Sequence, residues 1–176
     1  MKQLLNGLAG IFLLMNLSST ALAGWDPKEA NAAQEAIAAF KKTDPDLELF
    51  FNEAYGYAVF PSVGKAGMGI GGAYGTGVVY EKGKEIGTTT LKHISVGFEF
   101  GGEHYREIIF FEDEKTLDNF KQGNYELGAQ ASAVALKKGA SKKADYDEGV
   151  AVFTQTKGGL MFDASIGGQK FTFEPK

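Results

Sequence analysis

The chain has 176 residues, no cysteine and a formal net charge of −4. An acidic chain lacks the basic field that a general nucleic-acid-binding protein uses to attract phosphates. The absence of cysteine excludes both disulfides and a lipid-modified cysteine anchor. The length predicts a single domain with a core large enough to need no covalent crosslink.

Residues 1–23 have the pattern of a secretory signal peptide. Lys2 supplies a positive start, Leu4–Leu17 is mostly apolar, and Ala21-Leu22-Ala23 places small residues where a signal peptidase cleaves. We predict cleavage after Ala23 and export, to the periplasm if the source is Gram-negative. An uncleaved anchor is the alternative, but the apolar run is shorter than the roughly 20 residues that a spanning helix needs. Loss of Lys2 changes the net charge from −4 to −5.

Two helices are predicted in the segment 24–53. Asp26-Pro27-Lys28-Glu29 combines an N-cap, a proline at the first helical position and a glutamate three residues after the cap. This helix should run to about Lys42. Asp44-Pro45-Asp46 restarts the pattern and predicts a second, short helix. The first helix has one apolar stripe at helical spacing, formed by Ala30, Ala33, Ile37 and Phe40.

Residues 54–176 are predicted to form the β-rich core. The stretch 54–79 mixes eight glycines and one proline with β-forming residues, which favours a curved, glycine-kinked strand over a helix. Glu81–Lys84 is a hairpin-turn candidate. The strands predicted in this half are Tyr57–Phe60, Met68–Tyr80, Thr88–Phe100 and Tyr105–Phe111, with Gly101-Gly102 separating the last two.

A third helix is predicted between Asp113, its N-cap, and Gly123, which ends it. The alanine-rich stretch 125–136 suits either a helix or a packed strand. Three further strands are predicted over 149–156, 160–166 and 169–173. The fold class is therefore α+β: a strongly curved, glycine-rich antiparallel sheet, open or closed into a small barrel, with N-terminal helices and one or two internal helices.

Four ordered blocks resemble the SYLF domain family. Gly56–Pro61 matches its G-x-A-V-F-P segment, and Lys65–Gly72 matches its K-A-G-x-G-x-G-G block. Leu127–Ser132 is similar to L-G-A-D-A-S, with Gln130 in place of the usual aspartate. Thr156–Ser165 is similar to the S-K-G-L-F-A-G-x-S strand. Structural roles are predicted for six glycines of the early blocks: Gly67, Gly69, Gly71, Gly72, Gly75 and Gly77.

The resemblance implies a non-enzymatic, lipid-binding protein. Eukaryotic SYLF proteins bind phosphoinositides and other lipids, and the yeast domain also binds actin. For an exported bacterial protein, the resemblance implies contact with anionic phospholipid headgroups through local lysines and no cofactor. A structural or protein-interaction module of the envelope is the alternative.

Local lysines are the candidate lipid-binding residues, since the overall charge is negative. Lys137–Lys143 contains the main cationic cluster, and Asp145, Asp147 and Glu148 follow it and would partly neutralise it. The first helix is a weaker candidate, because its stripe is mostly alanine. The residues proposed to contact lipid are Lys65, Lys137, Lys138, Lys142, Lys143, Trp25, Lys41 and Lys42.

Other chemistries are disfavoured. Gly67, Gly69 and Gly72 satisfy G-x-G-x-x-G, but the valines and glycines that follow do not favour the helix that a dinucleotide site needs. His93 and His104 fall on different predicted strands without metal-ligand spacing. No G-x-S-x-G nucleophile motif is present. We therefore expect no catalytic and no metal site.

Overall fold

A computed structural model describes residues 26–157 and 166–176, and only the backbone of 68, 69 and 95–103. The signal peptide, Trp25 and nearly all of the strand predicted over 160–166 lie outside the described residues. The helices are α1 (Pro27–Thr43), α2 (Glu48–Glu53) and α3 (Glu114–Lys121). The strands are β1 (Gly56–Glu81), β2 (Lys84–Phe111), β3 (Tyr125–Glu126), β4 (Val134–Ala135), β5 (Val150–Thr156) and β6 (Lys170–Pro175).

The helices begin and end where the sequence predicts. The Asp26 carboxylate accepts a hydrogen bond from the Lys28 amide at 2.9 Å and caps α1. The Asp113 carboxylate accepts one from the Thr116 amide at 2.8 Å and caps α3, and Gly123 follows α3 with a positive φ of 77°. The buried face of α1 consists of Ala33, Ala36, Ile37 and Phe40. The buried face therefore contains Ala36 in place of the predicted Ala30.

The sheet is a strongly curled half-barrel, as the predicted fold class requires. The order is β3-β6-β2-β5-β4, with β1 along the other side of β2. Among the described strands, pairing is antiparallel except between β4 and β5, which pair in parallel over two residues. The 125–136 stretch, left open between helix and strand, carries only the short β3 and β4.

One long ribbon, formed by the antiparallel pair β1 and β2, replaces four predicted strands. The break predicted at Pro61 is wrong, because a register shift between Phe60 and Val63 accommodates the proline within β1. The break predicted at Gly101-Gly102 is also wrong, since β2 is continuous there. Lys82 and Gly83, with φ of 48° and 77°, form the predicted tight turn between β1 and β2.

The ribbon folds back on itself near Gly67 and Gly71, so that the two halves of β1 lie against each other. The rings of Tyr57 and Tyr80 stack at 4.9 Å between centroids. A Cβ on Gly77 would lie 2.5 Å from the carbonyl oxygen of Val59. Glycine is required where the halves approach, since any side chain would push the two backbones apart.

Gly77→Ala is therefore expected to destabilise the protein by about 2 kcal/mol through overpacking. The matched control is Gly72→Ala, because a Cβ there would meet only the His93 carbonyl oxygen, at 3.4 Å. Urea denaturation of both variants measures the difference. Equal stability of the two variants would contradict the close approach of the two halves.

The curled sheet has a hydrophobic core on each face. The inner core is closed by α3, through Leu117 and Phe120. The outer core is covered by α1 and α2, whose Phe40 and Phe50 are buried there. Strand residues alternate between the two: Ala58 and Phe60 lie in the inner core, and Tyr57 and Val59 lie in the outer one. This packing places the end of α1 beside the loop that follows β4.

Candidate functional site

The lysine-rich segment 137–143 is a compact turn on the surface. It is held to β5 by the Leu136 amide, which donates to the Thr154 carbonyl oxygen at 2.8 Å. The segment ends in a short 3-10 turn over Ser141–Lys143. Its four lysines are all exposed: Lys137, Lys138, Lys142 and Lys143.

A buried aspartate joins this turn to the end of α1. The Asp44 carboxylate, which has no exposed surface, accepts hydrogen bonds from the Ser141 hydroxyl at 2.7 Å and the Ser141 amide at 2.9 Å. It also accepts from the amides of Gly139, at 3.0 Å, and Asp46, at 3.3 Å. Burial acts to raise the pKa of Asp44, but the hydrogen bonds from Ser141, Gly139 and Asp46 outweigh it and lower that pKa.

These hydrogen bonds between Asp44 and the turn, called the Asp44 clamp below, bring together lysines that are almost 100 positions apart in sequence. Asp44 lies two residues after Lys42, and its partners Gly139 and Ser141 lie among the lysines of the turn. These six lysines are called the basic surface below. They are Lys41, Lys42, Lys137, Lys138, Lys142 and Lys143.

Two members of the basic surface already hold acidic partners. Lys41 lies 2.8 Å from a Glu48 carboxylate oxygen, and its ammonium sits 4.5 Å from the Phe51 ring centroid. Lys142 lies 3.3 Å from an Asp46 oxygen. Within 26–157 and 166–176, no ion pair engages Lys42, Lys137, Lys138 or Lys143. These four are the charges available to a ligand.

The acids that follow the turn do not neutralise it by direct pairing. Asp145, Asp147 and Glu148 line a cleft of about 430 Å³ that is bounded by the 125–134 segment and β5. None of them forms an ion pair with the basic surface among the residues that the structure describes. The predicted partial neutralisation is therefore limited to long-range attraction, which salt screens.

Comparison with known proteins tests the resemblance to the SYLF family. The family model described as "Ysc84: Las17-binding protein actin regulator" matches residues 92–176. Beta cell expansion factor A of Aeromonas veronii is 33% identical over 156 residues, which cover 83% of this chain and 59% of that protein. The resemblance to the SYLF family is therefore confirmed over residues 92–176. The chain spans about three fifths of the length of this relative.

The SYLF match and the motif blocks overlap only in part. The blocks at Leu127–Ser132 and Thr156–Ser165 lie within the residues that the family model matches. The earlier blocks, Gly56–Pro61 and Lys65–Gly72, precede residue 92 and form the first half of the folded-back ribbon. The glycines of these earlier blocks therefore serve the sharp curvature of β1.

The remaining candidate residues lie apart from the basic surface. Lys65 is on β1, half-buried and directly opposite Glu103 in register. Gly67, Gly69 and Gly72 are all within β1, so no helix follows them and the dinucleotide reading fails. His93 and His104 lie on one strand, β2, and not on two as predicted. The described residues contain no group of three or more side chains suited to a metal.

Glu107 is a buried carboxyl that sequence reasoning missed. One of its oxygens accepts from the Gln169 side-chain amide at 3.1 Å, while the other oxygen and the Gln169 carbonyl oxygen have no partner in the described part of the chain. Burial raises the pKa of Glu107 to about 7, and the hydrogen bond from Gln169, which acts to lower that pKa, offsets only part of this effect. A protonated Glu107 adds a hydrogen-bond donor to a cluster rich in acceptors.

The structure also shows an exposed apolar cluster that the sequence did not single out. Ile70, Tyr74 and Ile94 stand on one face of the ribbon. The only sequence signal was two isoleucines and a tyrosine among glycines, which suits a buried strand equally well. Among the described residues, no helix is long and apolar enough to cross a membrane.

Proposed function

We propose that this SYLF protein is a non-enzymatic lipid-binding protein of the bacterial envelope. It would contact anionic phospholipids, with phosphoinositide-like charge, through the basic surface. Family membership supports a lipid-binding or actin-regulator-like domain. The observation that carries the proposal is the Asp44 clamp, which holds two lysine groups from distant parts of the chain on one surface.

The electrostatics favour a weak and salt-sensitive interaction. A lysine close to an anionic leaflet contributes about 1 kcal/mol, and this attraction decays within a Debye length. The chain as a whole is negative, so only a local surface attracts an anionic membrane. Binding through the basic surface should therefore be reversible and should require anionic lipid.

Vesicle flotation of protein expressed from the full sequence tests the proposal. We expect co-flotation with phosphatidylglycerol-containing vesicles, little with phosphatidylcholine alone, and loss in salt. Lys137/Lys138/Lys143→Ala should reduce anionic binding about a hundredfold, since it removes three free charges that contribute about 1 kcal/mol each. The matched control, Lys28/Lys84/Lys115→Ala, removes three exposed lysines that are not part of the basic surface.

Two results would count against this function. Equal loss in both triple variants would assign binding to net charge instead of the basic surface. Failure of the unaltered protein to float with any vesicle would remove lipid binding altogether. The protein-interaction alternative would then be preferred, since the description of the matching family names a protein, Las17, as its partner.

Export to the periplasm is part of the same proposal. Its support is the pattern of Lys2, the apolar run and Ala21-Leu22-Ala23. Expression with the native leader in a Gram-negative host, followed by fractionation and N-terminal sequencing, should give a periplasmic protein that begins at Gly24. A cytoplasmic protein that begins at Met1 would contradict it.

A further inference from the structure

Exposed large apolar side chains are concentrated on one part of the ribbon. The four in the described residues are Ile94 at 80% exposure, Ile70 at 70%, Leu49 at 57% and Tyr74 at 55%. Leu49 stands on α2, while the other three are on β1 and β2. Single exposed apolar residues are ordinary, but a contiguous group of them marks an interaction surface.

The strand register makes these three side chains neighbours. Ile94 lies directly opposite Gly72, which has no side chain, and so stands diagonally between Ile70 and Tyr74. Diagonal neighbours of this kind are about 7–8 Å apart, within reach of large side chains. The intervening Gly71 and Ala73 are buried on the opposite face. Ile70, Tyr74 and Ile94 therefore form one cluster, called the apolar tip below.

Cations border the apolar tip. Lys92 is exposed and lies directly opposite Tyr74, and Lys170 lies opposite Lys92 on the next strand. Lys170 is 3.5 Å from a Glu126 oxygen and keeps 69% of its side chain exposed. This side of the apolar tip is therefore bordered by two lysines, and Glu126 offsets part of their charge.

The covering helix stops short of this part of the ribbon. α1 packs over the same face at Val78 and Tyr80. Glu29, in its first turn, shares a shallow cleft with Thr76 and Thr90. Tyr74, Gly72 and Ile70 continue along the face beyond that cleft, where the exposed isoleucines begin. The apolar tip is thus a continuation of a face that α1 covers elsewhere.

We propose that the apolar tip inserts into the interfacial region of an anionic lipid bilayer, an inference that rests on the proposed lipid-binding function. Aliphatic side chains beside a tyrosine and lysines suit the boundary between acyl chains and headgroups. The isoleucines would enter the acyl boundary, and Lys92 and Lys170 would meet the phosphates. A second copy fits less well, because face-to-face docking would bring the lysines of both copies together.

Insertion adds a contribution that salt does not screen. Ile70→Ser/Ile94→Ser should therefore reduce flotation with anionic vesicles about tenfold at high salt, where the basic surface is screened. Leu49→Ser is the matched control, since it removes an exposed aliphatic side chain of comparable exposure on α2. Thermal unfolding of each variant confirms that the fold is retained.

A second readout does not depend on the serine variants. The chain has no cysteine, so Ile94→Cys and Leu49→Cys each accept a single environment-sensitive fluorophore. The label at position 94 should shift to shorter wavelength on anionic vesicles and be quenched by lipids brominated in the acyl chains. The label at position 49 should show neither change.

The outcomes separate this inference from the proposed function. If the unaltered protein floats, but the isoleucine variant floats equally well and the label at position 94 is not quenched, insertion is wrong and headgroup binding stands. If the unaltered protein does not float, the function itself fails. If sedimentation shows a dimer that the isoleucine variant abolishes, the apolar tip is a contact between copies and the inference is overturned.

Discussion

Glu107→Gln should stabilise the protein by about 3 kcal/mol at about pH 8 and leave its stability almost unchanged near pH 4. The pKa of Glu107 is raised to about 7 because the carboxyl has no exposed surface, and the Gln169 hydrogen bond only partly offsets this burial. Glutamine keeps the shape and the contact with Gln169, and it cannot ionise. The variant therefore avoids the cost of a buried charge.

The sign of the pH dependence follows from the protonation of Glu107 in the folded chain and in the unfolded chain. Below the ordinary pKa of 4.5, Glu107 is protonated in both the folded and the unfolded chain. Between pH 4.5 and about 7 the unfolded chain loses this proton while the folded chain keeps it, so the free energy of unfolding falls as pH rises. Above about 7 both states are ionised and the penalty is constant.

Urea denaturation across this pH range measures the effect. Glu112→Gln is the control, because Glu112 is exposed and lies just beyond the end of β2. The difference in unfolding free energy between Glu107→Gln and the unaltered protein should grow with pH, and Glu112→Gln should show no such trend. A pH-independent difference at Glu107 would mean that this carboxyl is not held in its neutral form.

Asp44→Ala should destabilise the protein by about 3 kcal/mol at neutral pH. The substitution removes the acceptor for the amides of Gly139, Ser141 and Asp46 and for the Ser141 hydroxyl. Buried donors left without a partner account for most of the expected loss. The turn that carries Lys137 and Lys138 would also lose its attachment to α1, so anionic vesicle binding should weaken.

The pH dependence at Asp44 has the opposite sign to that at Glu107. Because the folded-state pKa of Asp44 lies below 3.8, its stabilisation is present above that value and is lost as pH falls through the folded-state pKa. Urea denaturation at neutral pH and at about pH 3 should therefore show a smaller effect of Asp44→Ala in acid. The control is Asp46→Ala, which removes only the exposed ion pair to Lys142. Equal losses from the two variants would contradict the clamp.

Local signals were sufficient for the helices and for the resemblance to the SYLF family. Asp26, Asp113 and Gly123 act within one turn of the chain, so their capping roles could be read without knowing the fold. The apolar run Ile108–Phe111 is likewise typical of a strand buried on both faces, and all four residues are buried. The strand boundaries were harder, because a proline at a bulge and a glycine pair in a bent strand resemble chain breaks locally.

The sequence by itself determined the helix caps, the α+β class, the glycine-kinked β1 and the lysines of the surface turn. Each of these depends on residues that are close along the chain. Only the tertiary structure decided that Asp44 joins the end of α1 to that turn, that Glu107 is buried beside Gln169, and that Ile70, Tyr74 and Ile94 share an exposed face. The reason is that burial, strand register and hydrogen bonds between distant residues depend on how the ribbon folds back, and no local pattern encodes that geometry.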